Sequence, residues 1–447
     1  MVKVITYGTF DMFHFGHQRL LERAKAMGDY LIVGVTSDSF DLTRGKINAQ
    51  QSLVERLESV RATGLANEII VEEYEGQKID DIKRYGVDVF TVGSDWEGKF
   101  DYLKEFCKVI YLDRTEGVSS SEIREGKREL KIGIVGNSTL VNKFEKESRY
   151  VNGIIISGIN TSDDSSFTDE IKNKYLITES LDRLFEVSDA VYVVSHPRNH
   201  YEHVKRALLA GKHVLCESPI AINTNEYEEL QKIAQKHNLQ LMDAIKTAYS
   251  TAYNRMLVLV KGGRIGDIVS VDATCTSLSE LEQKTKEGAS LDEVWNSISA
   301  WGPTAMLPVF QLLGTEYVNK QISTHLIAEG FDTFTKISLI YPHGVASLKV
   351  GKGVKSEGEL IISGTKGYVY VPAPWWKTDY FEIRYENPAD NRRFFYQVDG
   401  EGIRYEILSF VKGIRSGHIN TYIDKVHSKC IVNMMEDFYR RINVFEI

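Results

Sequence analysis

A short β-branched run at residues 2–6 stops at a Gly8-Thr9 turn and passes into an amphipathic stretch at 17–27, with Leu20, Leu21, Ala24 and Met27 on one face. No other stretch constrains the fold as strongly, because a buried strand feeding a helix is the start of a layered α/β arrangement. It also prepares an anion site. Free N–H groups and the positive end of the helix dipole face the turn, and Gly8 lets a phosphate approach the backbone. His14 and His17 lie three residues apart near the helix start, so one helical turn would aim both imidazoles at one point. Two imidazoles over a phosphate point to phosphoryl or nucleotidyl chemistry. A lone histidine is more often a packed or surface residue, but the flanking glycines and the amphipathic helix weaken that reading here.

The pattern repeats. Residues 30–36, 68–73, 87–92 and 109–112 read as further buried strands separated by helical segments, which predicts a doubly wound parallel sheet with ligands at the carboxyl ends of its strands. Polar residues fall at those ends. Thr9, Asp11, His14 and His17 follow the first strand, and Arg56 lies on a helix beyond Arg44 and Lys46. Asp95, Trp96 and Lys99 follow the fourth strand, and Arg114, Thr115, Ser119, Ser120 and Ser121 the fifth. Cations, hydroxyls and a helix N-terminus suit a nucleoside triphosphate, because displacement at phosphorus is served by positioning and charge neutralisation. Ser119-Ser-Ser-Glu122 also fits a helix capping box; both readings can hold, since a capped helix start still offers N–H groups.

Past the charged patch at 125–129, a strand enters a second glycine turn, Leu130-Lys-Ile-Gly-Ile-Val-Gly136, and strand-helix units follow at 153–157, 190–194, 213–216 and 240–243. From about Ile265 alternating runs at 268–273, 336–341, 359–363, 368–371 and 380–384 predict a large open, mostly antiparallel sheet, closed by helices at 405–415 and 421–443. The expected fold is α/β throughout. A doubly wound domain at 1–128 is followed by a Rossmann-like domain at 129–250 and an α/β domain at 251–447, since 447 residues exceed one core. A formal net charge of -8 argues against a general nucleic-acid or anionic-membrane binder. No apolar run approaches the ~20 residues that span a bilayer, and Lys3 and Asp11 interrupt the first stretch as no export signal would. Cys107, Cys216, Cys275 and Cys430 show no CxxC spacing, which argues against disulfides and zinc. The expectation is a soluble cytoplasmic protein with neither nucleic-acid nor membrane partners.

Gly8-Thr-Phe-Asp-Met-Phe-His-Phe-Gly-His17, Gly93-Ser-Asp-Trp-Glu-Gly-Lys-Phe-Asp101 and Arg114-Thr-Glu-Gly-Val-Ser-Ser-Ser121 resemble the signatures of bacterial glycerol-3-phosphate cytidylyltransferases, of the nucleotidyltransferase superfamily with the HxGH motif. The likeness runs unbroken over residues 1 to about 127. It implies attack by an alditol phosphate oxygen on the α-phosphorus of CTP, with Mg²⁺ assistance and release of pyrophosphate. The CDP-alditol, CDP-glycerol foremost, would serve a cell-surface polymer such as teichoic acid or capsule. Carried over, the resemblance puts His14 and His17 at the triphosphate and transition state. Arg114, Thr115, Ser119, Ser120 and Ser121 would hold the β and γ phosphates, with Lys46 as a further cation. Gly8, Thr9, Phe10 and Asp11 would line the nucleotide site, and Arg56, Asp95, Trp96 and Lys99 would lie near the acceptor phosphate or metal. Ser94 departs from the family, which has a second Asp there.

Residues 130–447 resemble the Gfo/Idh/MocA oxidoreductases in the order of the Gly136 turn, Val194-Ser-His-Pro-Arg-Asn-His200, Ala210-Gly-Lys-His-Val-Leu-Cys-Glu-Ser-Pro-Ile-Ala221, Gly263-Arg-Ile-Gly-Asp-Ile-Val-Ser-Val271, Gly364-Thr-Lys-Gly367 and Arg404-Tyr-Glu-Ile407. This resemblance implies NAD(P), with Gly136, Ser138, His196, Glu217 and Pro219 at dinucleotide-binding positions. Several functional residues depart from the pattern. The GxGxxG turn has Ser138 and Val141 where glycines are expected, and the second strand ends in Ser157-Gly-Ile-Asn160 without its ribose-binding acid. The Glu-Lys-Pro motif reads Glu217-Ser218-Pro219, and Ala300-Trp-Gly-Pro-Thr-Ala-Met-Leu307 lacks the expected Asp and His. These losses predict that the second half is no ordinary dehydrogenase and serves as a scaffold for dimerisation, substrate capture or a partner. The alternative is a reductase with relocated groups, Lys246 or His200, that makes the alditol phosphate from a ketose phosphate. His196 and His200 also read as loop-shaping residues, Lys246 as a solvated or salt-bridged side chain, and Trp375-Trp376 as an edge or interface feature. Both resemblances imply a homodimer or higher homo-oligomer.

Overall fold

The computed structural model describes residues 1–37, 49, 51, 53–74, 76–113, 129–151, 153–278, 288, 290–291, 295–327, 330–377, 380–395, 400–417 and 422–447. Lys46, Arg114, Thr115, Ser119, Ser120 and Ser121 lie outside the described residues. Two compact units divide the chain, one of Met1–Glu129 with Tyr150–Gly153, the other of Leu130–Arg149 with Ile154–Ile447.

The first unit runs β1 (Lys3–Gly8), α1 (Phe15–Lys25), β2 (Tyr30–Thr36), α2 (Leu53–Ala62), β3 (Glu68–Glu72), α3 (Gln77–Tyr85), β4 (Val89–Gly93) and β5 (Lys108–Leu112). Helix α1 begins two residues before the apolar spacing marks it, because His14 takes the N-cap and its Nδ1 accepts from Gly16 N at 3.0 Å. The five strands pair in parallel in the order β3-β2-β1-β4-β5. Both faces of the sheet are apolar, so both must be covered. Leu21, Ala24 and Val60 close one face over Val4, Val33 and Val35, and Ile82, Phe100 and Leu103 close the other over Ile5, Ile32 and Phe90.

The second unit opens with β6 (Leu130–Val135), α4 (Leu140–Ser148), β7 (Ile154–Asn160), α5 (Asp169–Lys174), β8 (Ile177–Thr178), α6 (Leu181–Glu186), β9 (Ala190–Val193), α7 (Pro197–Leu209), β10 (His213–Glu217), α8 (Thr224–Lys236) and β11 (Leu241–Ala244). Its strands form a parallel sheet, β11-β10-β9-β6-β7-β8. Then come α9 (Thr251–Lys261), β12 (Ile268–Thr276), α10 (Ser297–Leu313), β13 (Asn319–Leu326), β14 (Asp332–Tyr341), β15 (Gly344–Gly351), β16 (Leu360–Gly364), β17 (Tyr368–Val371), β18 (Tyr380–Arg384), β19 (Arg392–Phe395), α11 (Ile403–Ser416), α12 (Lys425–Tyr439) and β20 (Val444–Glu446). These strands form a sheet ordered β19-β18-β17-β16-β12-β15-β14-β13-β20, antiparallel except at β12–β15 and β13–β20. Alternation on β14 buries Ile337, Leu339 and Tyr341 and leaves Lys336 and Ile340 outside.

One expectation is corrected here. Trp375 is no edge residue but lies in the core, 2% exposed, because its Nε1 donates to Thr274 O at 3.1 Å and so lets the indole bury. Among the described residues, no helix is long and apolar enough to cross a membrane.

Candidate active site

Strand order reverses at β1, and β1 and its neighbour β4 end at Gly8 and Gly93. Ligands of open parallel sheets gather at such a switch point. The loop leaving β1 is sharply bent, with φ of 54° at Phe10 and 49° at Met12. Side-chain-bearing residues stay in that region only when their surroundings hold them. Phe10 is buried in the core, and a Cβ on Gly8 would lie 3.1 Å from its ring. Asp11, also buried, accepts from Gln51 N at 3.0 Å, while Gln51 Oε1 accepts from Met12 N at 2.8 Å. Arg56 donates from Nη1 to Thr9 O at 2.8 Å and Thr36 O at 2.7 Å, and from Nε to Gln51 O at 3.2 Å. Arg56, expected near the acceptor phosphate or metal, is fully buried, and Nη1 and Nε donate to backbone carbonyls beneath the loop.

The loop delivers the histidines. The His14 and His17 rings stack with centroids 3.9 Å apart and planes 25° apart, and the Phe10 and Phe13 ring centroids lie 5.4 and 5.6 Å from that of His17. No acidic side chain occupies the first turn of α1. An anion placed there meets the helix N–H groups, the dipole and two imidazoles together. Arg23 Nη1 donates to Asp113 O at 2.8 Å, tying α1 to the residue that precedes Arg114. After β4, Asp95 and Trp96 stand on a short 3₁₀ turn, Ser94–Trp96, with Lys99 Nζ 5.1 Å from the Trp96 ring centroid. Asp95 and Lys99 are exposed, whereas Trp96 packs on Phe100.

A buried charged network escaped the sequence reading. Lys78 Nζ pairs with Glu72, which accepts from Thr36 Oγ1 at 2.9 Å, and Lys78 lies 4.5 Å from the Tyr7 ring centroid. Tyr7 OH donates to Asp81 at 2.8 Å, and burial followed by the Asp81 charge pushes the phenol well above its ordinary range. The signal was present on α3, whose inner face carries Lys78 and Asp81 beside Ile82.

In the second unit Gly136 has φ of 130°, and a Cβ on it would lie 2.6 Å from Ser195 N, so this glycine serves close backbone packing. Ser138 Oγ accepts from Leu140 N at 3.2 Å, and Val141 is fully buried. Ser138 O also accepts from Val141 N at 2.9 Å, whereas Thr139, the N-cap residue, makes no side-chain cap bond. Asp163, three residues past Asn160, accepts from Asn137 Nδ2 at 3.5 Å.

His196 caps α7, its Nδ1 accepting from Arg198 N at 3.4 Å. His200 is fully buried, with Nε2 2.7 Å from Ser195 O and Nδ1 2.8 Å from Pro219 O. Both ring nitrogens face backbone carbonyls, which removes His200 from the relocated catalytic groups. Burial pushes its pKa down to about 4, against the Pro219 and Ser195 carbonyls, which favour the protonated ring. The unfolded chain takes a proton near the ordinary 6.5 that the folded chain refuses until about 4. The stability His200 contributes is therefore full above that upper value and lost as pH falls through the window. Between pH 7 and 5 the wild type is expected to lose about 2 kcal/mol more in urea unfolding than His200→Gln. Equal slopes for the two proteins would refute a neutral buried imidazole.

Around Lys246, Tyr192 OH donates to Glu217, and Ser428 Oγ donates to Asp243. Burial pushes the Glu217 carboxyl up to about 7 and Asp243 up to about 6, and with the Glu217 charge it pushes Glu406 well up. Glu406 Oε2 is buried with no hydrogen-bond partner among the described residues. Lys246 Nζ pairs with Glu401 Oε2 at 3.7 Å, as the salt-bridged reading expected, and burial, followed by the Lys377 charge, pushes its ammonium down.

Residues 5–126 match the family model described as Cytidylyltransferase-like, and residues 130–244 the one described as Oxidoreductase family, NAD-binding Rossmann fold. The glycerol-3-phosphate cytidylyltransferase of Bacillus spizizenii is 52% identical over 125 residues, which cover 28% of this chain and 96% of that protein. The trans-1,2-dihydrobenzene-1,2-diol dehydrogenase of Oryctolagus cuniculus is 25% identical over 324 residues, 68% of this chain and 94% of the relative. KijD10, a 3-ketoreductase from Actinomadura kijaniata solved in complex with NADP and TDP-benzene, matches 72% of this chain and 99% of its own with a TM-score of 0.63 and 18% identity, a likeness of fold. The chain belongs through its first unit to the glycerol-3-phosphate cytidylyltransferases, a family of nucleotidyltransferases, here fused to a Gfo/Idh/MocA oxidoreductase domain.

Proposed function

We propose that the chain transfers a cytidylyl group from CTP to an alditol phosphate, glycerol 3-phosphate foremost, and supplies a CDP-alditol for a cell-surface polymer such as teichoic acid or capsule. The observation that carries this reading is the stacked His14–His17 pair at the N-terminus of α1, at the switch point of a parallel sheet. Mg²⁺ would accompany CTP and offset charge on its phosphates. An oxygen of the acceptor phosphate attacks the α-phosphorus, and the bond to pyrophosphate breaks with its electron pair leaving on the pyrophosphate oxygen. His14 and His17 neutralise the charge that develops there. Gly8, Thr9, Phe10 and Asp11 shape the nucleotide side, held from below by Arg56. Lys46, Arg114, Thr115, Ser119, Ser120 and Ser121 take the outer phosphates, and Asp95, Trp96 and Lys99 receive the acceptor. In this reading the second unit is no ordinary dehydrogenase, which Ser138 and Ser218 support. Residues 1–128, 129–250 and 251–447 act as three domains of a homodimer or higher homo-oligomer in the cytoplasm.

A second reading adds reduction of a ketose phosphate with NAD(P)H before cytidylyl transfer. Lys246 favours it, as a depressed ammonium beside Glu217 and Glu406, while the turn at Gly136 counts against it. Incubating the full chain with CTP and a panel of alditol and ketose phosphates, with and without NADPH, separates the two. Pyrophosphate release from glycerol 3-phosphate without NADPH is expected under the first. NADPH oxidation coupled to CDP-product formation from a ketose phosphate would establish the second. Failure of every alditol phosphate to release pyrophosphate would sink both.

A further inference from the structure

Three lysines from distant parts of the second unit converge on one carboxylate. Lys143 on α4, Lys246 just past β11 and Lys377 past β17 place Nζ at 3.4, 3.7 and 2.6 Å from Glu401 Oε2. Among the described residues, three lysines share this one carboxylate oxygen. Isolated surface ion pairs match charge one for one and stabilise little, so a threefold convergence is a poor device for stability. Among the described residues nearby, burial drives the Glu217 and Glu406 carboxyls toward their neutral forms. The lysines also oppose one another: the Lys377 charge follows burial in pushing Lys246 down. Glu401 is pulled down to about 2, by Lys377 first. It stands between Gly400 and Gly402, with φ of 62° and 81°. The cluster draws on chain segments leaving the parallel sheet and on the start of α11, with the orphaned Glu406 carboxylate also interacting with Lys246.

We propose that Lys143, Lys246 and Lys377 form a subsite for the phosphate of a small phosphomonoester, a polyol or ketose phosphate, whose place Glu401 holds. A dianionic phosphate carries two negative charges and presents three oxygens to the three lysine side chains. The polyol end then lies toward the Glu217 and Glu406 carboxyls, which offer hydrogen-bond partners to its hydroxyls. This site lies in the second unit and is separate from cytidylyl transfer.

The test is equilibrium binding of radiolabelled glycerol 3-phosphate to the full chain without CTP, for the wild type, Lys377→Gln, Lys143→Gln and Glu401→Gln. One binding class is expected to weaken about tenfold in each lysine variant, as loss of a charge-assisted contact requires. The same class is expected to tighten in Glu401→Gln, since the competing carboxylate is gone, while CDP-glycerol formation and the unfolding temperature stay at wild-type values. Inorganic phosphate should compete more weakly than the polyol ester. Stronger competition by a 2′-phosphorylated dinucleotide would overturn the assignment to a small ester. Binding that none of the three substitutions moves, or that Glu401→Gln weakens, would reduce the cluster to a surface ion-pair network.

Discussion

His17→Ala is expected to lower CDP-glycerol formation about a hundred- to a thousandfold while leaving the folded state almost unchanged, since one lost donor to a developing oxyanion commonly costs two to three orders of magnitude. His17 faces His14 at 3.9 Å, so its removal also frees the second imidazole from its stacking partner. The fold survives because the cap of α1 is His14, not His17. His14→Ala should therefore differ: it removes the same kind of charge and also a cap worth about 1 kcal/mol. Pyrophosphate release measures the first effect and a thermal melt followed by circular dichroism the second. A His17→Ala protein turning over near the wild-type rate would remove the histidine pair from the mechanism.

Arg404→Met is expected to destabilise the second unit by about 3–5 kcal/mol, the usual cost of leaving one member of a buried ion pair behind. Arg404 Nε and Nη2 donate to the two Glu147 oxygens at 2.8 and 2.9 Å, with the side chains 7% and 3% exposed. The fork is closed in tightly. A Cβ on Gly400 would fall 2.2 Å from Glu147 Oε1, so the turn beside the pair admits only glycine. Adding Glu147→Leu should recover most of the loss, because the unpaired charge, not the missing attraction, carries the penalty. Urea unfolding followed by tryptophan fluorescence reads both. Equal stability of the single and double variants would show that the pair is solvated in effect.

The parallel sheets were legible because their strands are continuous β-branched runs whose burial on both faces needs no partner to be recognised. The strands at 30–36, 368–371 and 380–384 match Tyr30–Thr36, Tyr368–Val371 and Tyr380–Arg384 residue for residue. The strands that escaped depend on their neighbours. Asn319–Leu326 is polar at most positions and becomes a strand by pairing with β14 along its whole length, and Val444–Glu446 becomes one by lying parallel to β13. Of the site, the histidines were legible because their spacing alone implies convergence. The partners of Arg56 were not, because a fully buried arginine bound to three backbone carbonyls has the same sequence signature as one reaching for a phosphate. Glu401 escaped for the same reason: its three lysines come from segments that only the fold brings together.

The clamp beneath the β1 loop has an entropic consequence. Thr9, Gln51 and Thr36 are tied through one guanidinium, and Asp11 closes the same knot from the loop side. Fixing a residue's backbone costs about 1–2 kcal/mol, and here that ordering of positions 9–12 occurs once, at folding, rather than at each encounter with substrate. A loosened clamp, as in Arg56→Lys, would move the ordering to the binding step, so the defect would appear as a larger unfavourable entropy of nucleotide association with the contacts themselves unchanged.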